Sequence, residues 1–148
     1  MAIKEILTEG NPILRQKSEK VKDFGDDLWR LLNDMRETVL STEDGCGLSA
    51  VQIGELKRVA IIQIDKDRNF LEMINPKILF KKGEQTLEEG CLSLPGKNGT
   101  TKRYNEVVVR FSNREGKKVV YTMKGFFAAE AQHEIDHMDG ILFTDKTI

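Results

Sequence analysis

The chain's only two histidines both lie in the string Gln132-His133-Glu134-Ile135-Asp136-His137. This is the pattern H-E-x-x-H. On a helix, residues four apart share one face, with roughly 5–6 Å between their Cβ atoms, so both imidazoles can reach one metal ion. Glu134, beside the first of them, is placed to act as a base toward water activated by that ion. The pattern predicts a hydrolytic metalloenzyme with His133 and His137 as ligands and Glu134 as the proton carrier.

A catalytic metal site takes three protein ligands and keeps one position open. Zincin peptidases of the extended form H-E-x-x-H-x-x-G-x-x-H draw the third ligand from downstream. Here Gly140 falls on cue, but Phe143 stands where the last His belongs. Asp145, a carboxylate well downstream, is expected to be poorly held so near the end. The third ligand is therefore expected upstream, where Cys46 and Cys91 are the thiol candidates. A thiolate suits zinc or ferrous iron. Cys91 is favoured, because it follows a strand-like run (Gln85 to Glu89) and Gly90, which permits close backbone approach. Cys46 sits between Gly45 and Gly47, where chain geometry is the stronger demand.

Three segments in order, Gly45-Cys46-Gly47-Leu48-Ser49-Ala50-Val51-Gln52, Glu89-Gly90-Cys91-Leu92-Ser93 and Gln132-His133-Glu134-Ile135-Asp136-His137, resemble the motifs of the peptide deformylases. Asn11-Pro12-Ile13-Leu14-Arg15 is similar to that family's opening, so the resemblance spans nearly the whole chain. It implies removal of the formyl group from the initiator methionine of nascent polypeptides, with release of formate. It implies Cys91, His133 and His137 as ligands of one divalent ion, natively Fe2+, with Zn2+ or Ni2+ able to substitute. It further implies an oxyanion pocket formed by Gln52, the Leu92 N–H and the metal. The glycines of the first motif, with Cys46 and Gly90, are expected to lie alongside an extended peptide substrate, strand to strand. A methionine-accepting pocket is implied too, with Phe126, Ala129 and Ile135 as candidate lining. Cys46 and Ser49 depart from the residues usual in relatives. So does Gly96-Lys97-Asn98-Gly99-Thr100-Thr101, which lacks the arginine of familiar bacterial enzymes.

Two other readings compete. One is a zincin-type metallopeptidase. The other is a non-catalytic module with a closed structural metal, Cys46 supplying a fourth ligand. Gly45-x-Gly47-x-x-Ala50 also matches a short dinucleotide pattern, but it follows a helix rather than a strand, which argues against that use.

The bulk numbers agree with a small enzyme. A chain of 148 residues is the size of one domain, expected over 1–148. Its net charge of −1 gives no electrostatic case for nucleic acid. No apolar run of spanning length and no secretory leader are visible, and two cysteines make no disulfide framework. These features lead to the expectation of a cytoplasmic monomer acting on N-formylmethionyl peptides. Contact with the ribosome is expected to be transient at most, since many bacterial relatives continue past the position of Ile148 into a C-terminal ribosome-binding helix.

The elements that must position these residues follow from periodicity. Leu28, Leu31, Leu32, Met35 and Val39 mark an amphipathic helix over Asp26 to Leu40. Arg58 to Ile64 reads as a buried strand, and Lys77 to Lys81 and Gln85 to Cys91 as further strands. Glu106 to Phe111 and Lys118 to Met123 read as a hairpin across Asn113-Arg114-Glu115-Gly116. Gly125 to Asp139 is the helix carrying the metal motif, ended by Gly140, with Phe126, Ala129 and Ile135 toward the strands. The expectation is an α+β fold. Mainly antiparallel strands pack around a C-terminal metal-binding helix, preceded by an N-terminal amphipathic helix.

Overall fold

The computed structural model describes residues 2–148. A five-stranded antiparallel sheet forms its centre, in the order β1-β2-β3-β6-β7. Its strands are β1 (Gly47–Ser49), β2 (Val59–Gln63), β3 (Phe70–Lys82), β6 (Glu106–Ser112) and β7 (Lys118–Lys124). A second, two-stranded antiparallel sheet pairs β4 (Gln85–Glu89) with β5 (Gly99–Arg103). The helices are α1 (Asp26–Leu40) and α2 (Gly125–Met138). Mainly antiparallel strands around a C-terminal helix make the α+β fold that the periodicity predicts.

Side chains alternate across a strand, and β2 uses both faces. Val59 and Ile61 pack with Leu28, Leu32, Met35 and Val39 of α1. Ala60 and Ile62 pack on the opposite side with Ala128, Ala131, Ile135 and Met138 of α2. The sheet is thus a middle layer between two helices, which explains why β2 reads as a continuous apolar run. A third, smaller cluster of Leu14, Leu94, Leu142 and Phe143 lies beneath Cys91.

The helix α2 is oriented differently from the expected face. Ala128, Ala131, Ile135 and Met138 meet the sheet, whereas Phe126 is 59% exposed. A helix buried on two sides carries apolar residues on more than one stripe, so periodicity alone did not separate the sheet face from the cleft face.

Three strands were read incompletely from sequence, β1 among them, since no strand was expected at Gly47–Ser49. β3 begins at Phe70, well before Lys77. Asn75, at φ 53°, interrupts it and shifts the register against β6 between Ile74 and Lys77. The Asn75 amide compensates by accepting from Val21 N and donating to Val21 O (2.8 and 2.9 Å). β5 was not anticipated, because Gly99-Thr100-Thr101-Lys102-Arg103 lacks an apolar alternation. Among the described residues no helix is long and apolar enough to cross a membrane.

The α2 terminus is tightly fixed. Arg58 donates to Met138 O and Asp139 Oδ1 (3.2 and 2.9 Å), placing a cation at the negative end of the helix. Gly140 then turns the chain at φ +76°, and a Cβ there would lie 2.4 Å from Arg15 O. Gly140→Ala is expected to destabilise the fold by about 2 kcal/mol or more, from strain and backbone collision together. Urea denaturation checks this; an unchanged midpoint would show that the turn relaxes freely.

Candidate metal centre

Three side chains converge on one point. His133 and His137 stand one turn apart on α2, and Cys91 follows β4 across Gly90. One donor atom from each of Cys91, His133 and His137 lies within 4.8 Å of the others. The His137 Nε2 is 3.4 Å from Cys91 Sγ. These are the three residues the sequence nominates, and Cys46 is not in the group.

The donor set suits a divalent cation. His137 is buried and its Nδ1 has no hydrogen-bond partner among the described residues, so only the sulfur at Nε2 engages the ring. Burial first, then the neighbouring His133 and Arg103, lower its pKa to about 3, which keeps the ring neutral and able to ligate. Burial alone would lower His133 as well, but Cys91, Glu89 and Glu134 outweigh it and hold that ring well above its ordinary value.

Glu89 and Arg103 form the support for His133. Glu89 Oε1 lies 2.8 Å from His133 Nδ1, leaving Nε2 toward the centre. Arg103 donates to both Glu89 oxygens (2.6 and 2.9 Å) and to Asp136 Oδ2 (2.6 Å), and Thr101 Oγ1 adds a 2.5 Å bond to Glu89. Burial would raise Glu89, yet the bonds from Arg103, His133 and Thr101 bring it down to about 2. Glu89 is thus the acid that serves a histidine ring, while Asp136 anchors the arginine.

Glu134 is 2% exposed and held by Ser49. The Ser49 Oγ lies 2.8 Å from the Glu134 carbonyl and 3.0 Å from its Oε1. Burial, aided by the Glu130 carboxyl, pushes Glu134 up to about 8 against the pull of His133 and Ser49. A carboxyl in that range can take up a proton and return it near neutrality. Gln52 is fixed with equal care. Its Oε1 accepts from Ser49 N (2.9 Å), and its Nε2 donates to Ser93 Oγ (3.0 Å) and faces Cys91 Sγ (3.5 Å).

Cys91, His133, Glu89, Glu134 and Gln52 line a cleft of about 380 Å³. Gly45, Cys46, Gly47, Gly90, Gln52 and Leu92 all border it. Of the suggested pocket lining, Phe126 borders the cleft; Ala129 and Ile135 do not. Ser49, Ser93 and Glu130 were missed. The spacing of Glu130, four residues before Glu134, was the available signal. Two downstream residues take packing and anchoring parts. Phe143 stacks on His133 at 6.2 Å between centroids. Asp145 is paired with Arg15 at 2.5 Å rather than loosely held. Gln132 bonds Tyr104 N and O (3.0 and 2.8 Å), tying α2 to the end of β5.

Residues 3–148 match the sequence model of a family described as polypeptide deformylase. Peptide deformylase 1 of Bacillus subtilis is 47% identical over 146 residues, covering 99% of this chain and 91% of its own. The crystal structure of a peptide deformylase from Legionella pneumophila superposes with a TM-score of 0.94 at 40% identity, covering 99% of this chain and 87% of its own. A class I type b peptide deformylase from Acinetobacter baumannii, solved with Met-Ala-Ser bound, gives 0.91 at 30% identity and 98% coverage of both chains.

Removing the support should loosen the centre. Arg103→Ala leaves the buried Glu89 carboxylate without its main partner, at a cost of about 3–5 kcal/mol. Glu89→Gln should weaken metal retention by about 10- to 100-fold. Metal content after dialysis against graded chelator measures the second effect; retention equal to the unmodified protein would show that Glu89 does not orient the ring.

Proposed function

The chain belongs to the polypeptide deformylase family, and from that premise we propose how its residues divide the work. The enzyme is a metal-dependent hydrolase that removes the N-formyl group from the initiator methionine of nascent polypeptides and releases formate. Its substrates are N-formylated nascent peptides.

In this reading Cys91, His133 and His137 hold one divalent ion, natively Fe2+, with Zn2+ or Ni2+ able to replace it. The mixed sulfur and imidazole donor set supports a divalent transition metal of this group. When bound, the ion supplies Lewis acidity, acidifying water and polarising the formyl carbonyl. Glu134 takes the proton of the attacking water and later delivers it to the departing amine. Ser49 holds the Glu134 carboxyl at the right angle. Gln52 Nε2, giving up its contact with Cys91 Sγ, and the Leu92 N–H donate to the oxygen of the tetrahedral intermediate as its charge develops. The Gln52 bonds to Ser49 and Ser93 support this role, because they prevent the amide from swinging away.

The peptide lies along β1. That strand is the edge of the large sheet and borders the cleft through Gly47, with Gly45, Cys46 and Gly90 close by. A free strand edge offers backbone hydrogen bonds to an extended peptide whatever its sequence. Gly47 is needed for clearance as well, since a Cβ there would come within 2.7 Å of Glu134 Oε2. The Met-Ala-Ser seen in the Acinetobacter baumannii relative supports the same occupant here. In this proposal the unit is one catalytic domain over 1–148, active as a monomer in the cytoplasm where nascent chains emerge. The observation that carries the proposal is the convergence of Cys91, His133 and His137 beside the buried Glu134.

Glu134→Ala is expected to lower kcat for formyl-Met-Ala-Ser by about 10²- to 10⁴-fold while metal content stays the same. Formate release that survives the substitution would remove Glu134 from the mechanism. Mass spectrometry should show loss of the formyl mass alone. Fragments from the unformylated peptide would instead establish a peptidase. Gly47→Ala is expected to reduce kcat at least tenfold by displacing the same carboxyl, about 1.4 kcal/mol of transition-state stabilisation; a crystal structure of that variant with Glu134 unmoved would refute this.

A further inference from the structure

The helix α1 leaves part of its face of the sheet open. It packs on β1, β2 and Ile74 of β3. Ile74 stands opposite Ser112, and Lys77 stands opposite Arg110. Lys118 stands opposite Ser112, and Val120 opposite Arg110. Cross-strand partners share a face, as do residues two apart, so Lys77, Arg110, Lys118 and Val120 lie on the α1 side of the sheet. All four are exposed. Val109 and Phe111 point the other way and pack with α2, which carries the metal ligands.

This open face is charged in one sense. Lys20, Lys77, Arg110 and Lys118 border a groove of about 330 Å³ that no carboxylate lines. None of these four forms an ion pair among the described residues. Arg58 also borders the groove but is engaged with Asp139 at 2.9 Å. The net charge of −1 is therefore an average that conceals a basic surface. Its placement is costly, because like charges directly opposite each other weaken a sheet, and Lys77 faces Arg110 across the ladder. The segments are nonetheless clamped together. The Asn75 amide bonds both Val21 N and Val21 O (2.8 and 2.9 Å), holding the Lys20 segment against the strand that carries Lys77.

An aromatic ring completes the surface. Phe80 stands opposite Val108, two residues from Arg110, on the same face, and is 51% exposed. Cations beside an exposed ring on an open sheet match the two needs of single-stranded RNA, phosphates to neutralise and bases to stack. The cations are spread over three strands and the Lys20 segment, which suits a chain of phosphates better than a single ion. They border a recess, which favours a strand that can enter it over a bilayer that cannot.

We propose that this face docks single-stranded RNA, with Lys20, Lys77, Arg110 and Lys118 on successive phosphates and Phe80 against a base. The choice of RNA over another polyanion rests on the deformylase reading, since nascent chains are made where RNA is translated. The metal centre lies on the other side of the sheet, so the bound strand leaves the cleft open.

The test is fluorescence anisotropy of the metal-loaded protein with a labelled, unstructured RNA of about 12 nucleotides. The logarithm of the affinity should fall with the logarithm of salt concentration at a slope of about −3, from four phosphates at about 0.7 each. Lys77→Gln with Arg110→Gln should weaken binding about ten- to thirtyfold at low salt and make the slope shallower by about 1.4. Phe80→Ala should weaken it about five- to hundredfold with the slope unchanged. Exchanging the two cations, Lys77→Arg with Arg110→Lys, should preserve binding. Relief of the like-charge pair means the urea midpoint of the double Gln variant should not fall. If that variant does not fold, Lys118→Gln at the edge strand should still make the slope shallower by about 0.7. No salt-dependent binding, or an equal loss from Lys66→Gln on a distant turn, overturns the proposal. So does displacement by inorganic phosphate at constant ionic strength, or tighter binding to phosphatidylserine vesicles than to RNA. Formate release from formyl-Met-Ala-Ser should be the same in every variant. RNA binding with these losses but no formate release from the unmodified protein overturns the deformylase reading alone.

Discussion

The buried chain of charge from Asp136 through Arg103 and Glu89 to the His133 ring is the interaction on which the centre depends. It joins two parts of the fold that share no sheet. Arg103 ends β5, Glu89 ends β4, and Asp136 and His133 belong to α2. Glu89 is also two residues from Cys91, so the contact that aims a histidine simultaneously sets where the thiol can stand. Two ions out of water are expensive unless every oxygen and N–H is engaged. Here Thr101, Arg103 and His133 all bond Glu89, which keeps it ionised and single in its orientation.

The layers around the sheet serve the same end. β2 is covered on one face by α1 and on the other by α2, so the strand next to β1 has little freedom. β1 therefore presents a firm edge beside the cleft. α2 is clamped at its end by Arg58 and turned at Gly140, which leaves its histidine-bearing face pointing one way. A site built on a helix, a sheet edge and a short loop after a strand is held more closely than one built on loops alone.

Cys46 illustrates how one residue's reading depends on its surroundings. As a sequence feature it was a rival ligand and a hint of a closed structural site. In the fold it borders the cleft with Glu130, outside the group formed by Cys91, His133 and His137. Ser49 moved in the opposite direction. As a sequence feature it was only a departure from the residue usual in relatives, yet it bonds both the carbonyl and the carboxyl of Glu134.

The sequence by itself determined the ligand types, their order and the elements that carry them. Helical spacing puts His133 and His137 on one face, apolar periodicity marks α1 from Asp26 to Leu40, and the β-branched run marks β2. These are local consequences of 3.6- and 2-residue repeats and need no long-range information. What only the tertiary structure decided is who faces whom. Glu89 rather than Asp136 met the ring, β5 formed from a polar segment, and Phe126 turned outward. Glu130 came to border the cleft rather than open solvent. Each of these depends on contacts between residues tens of positions apart, and polar partners leave no periodic trace along the chain from which such pairing could be read.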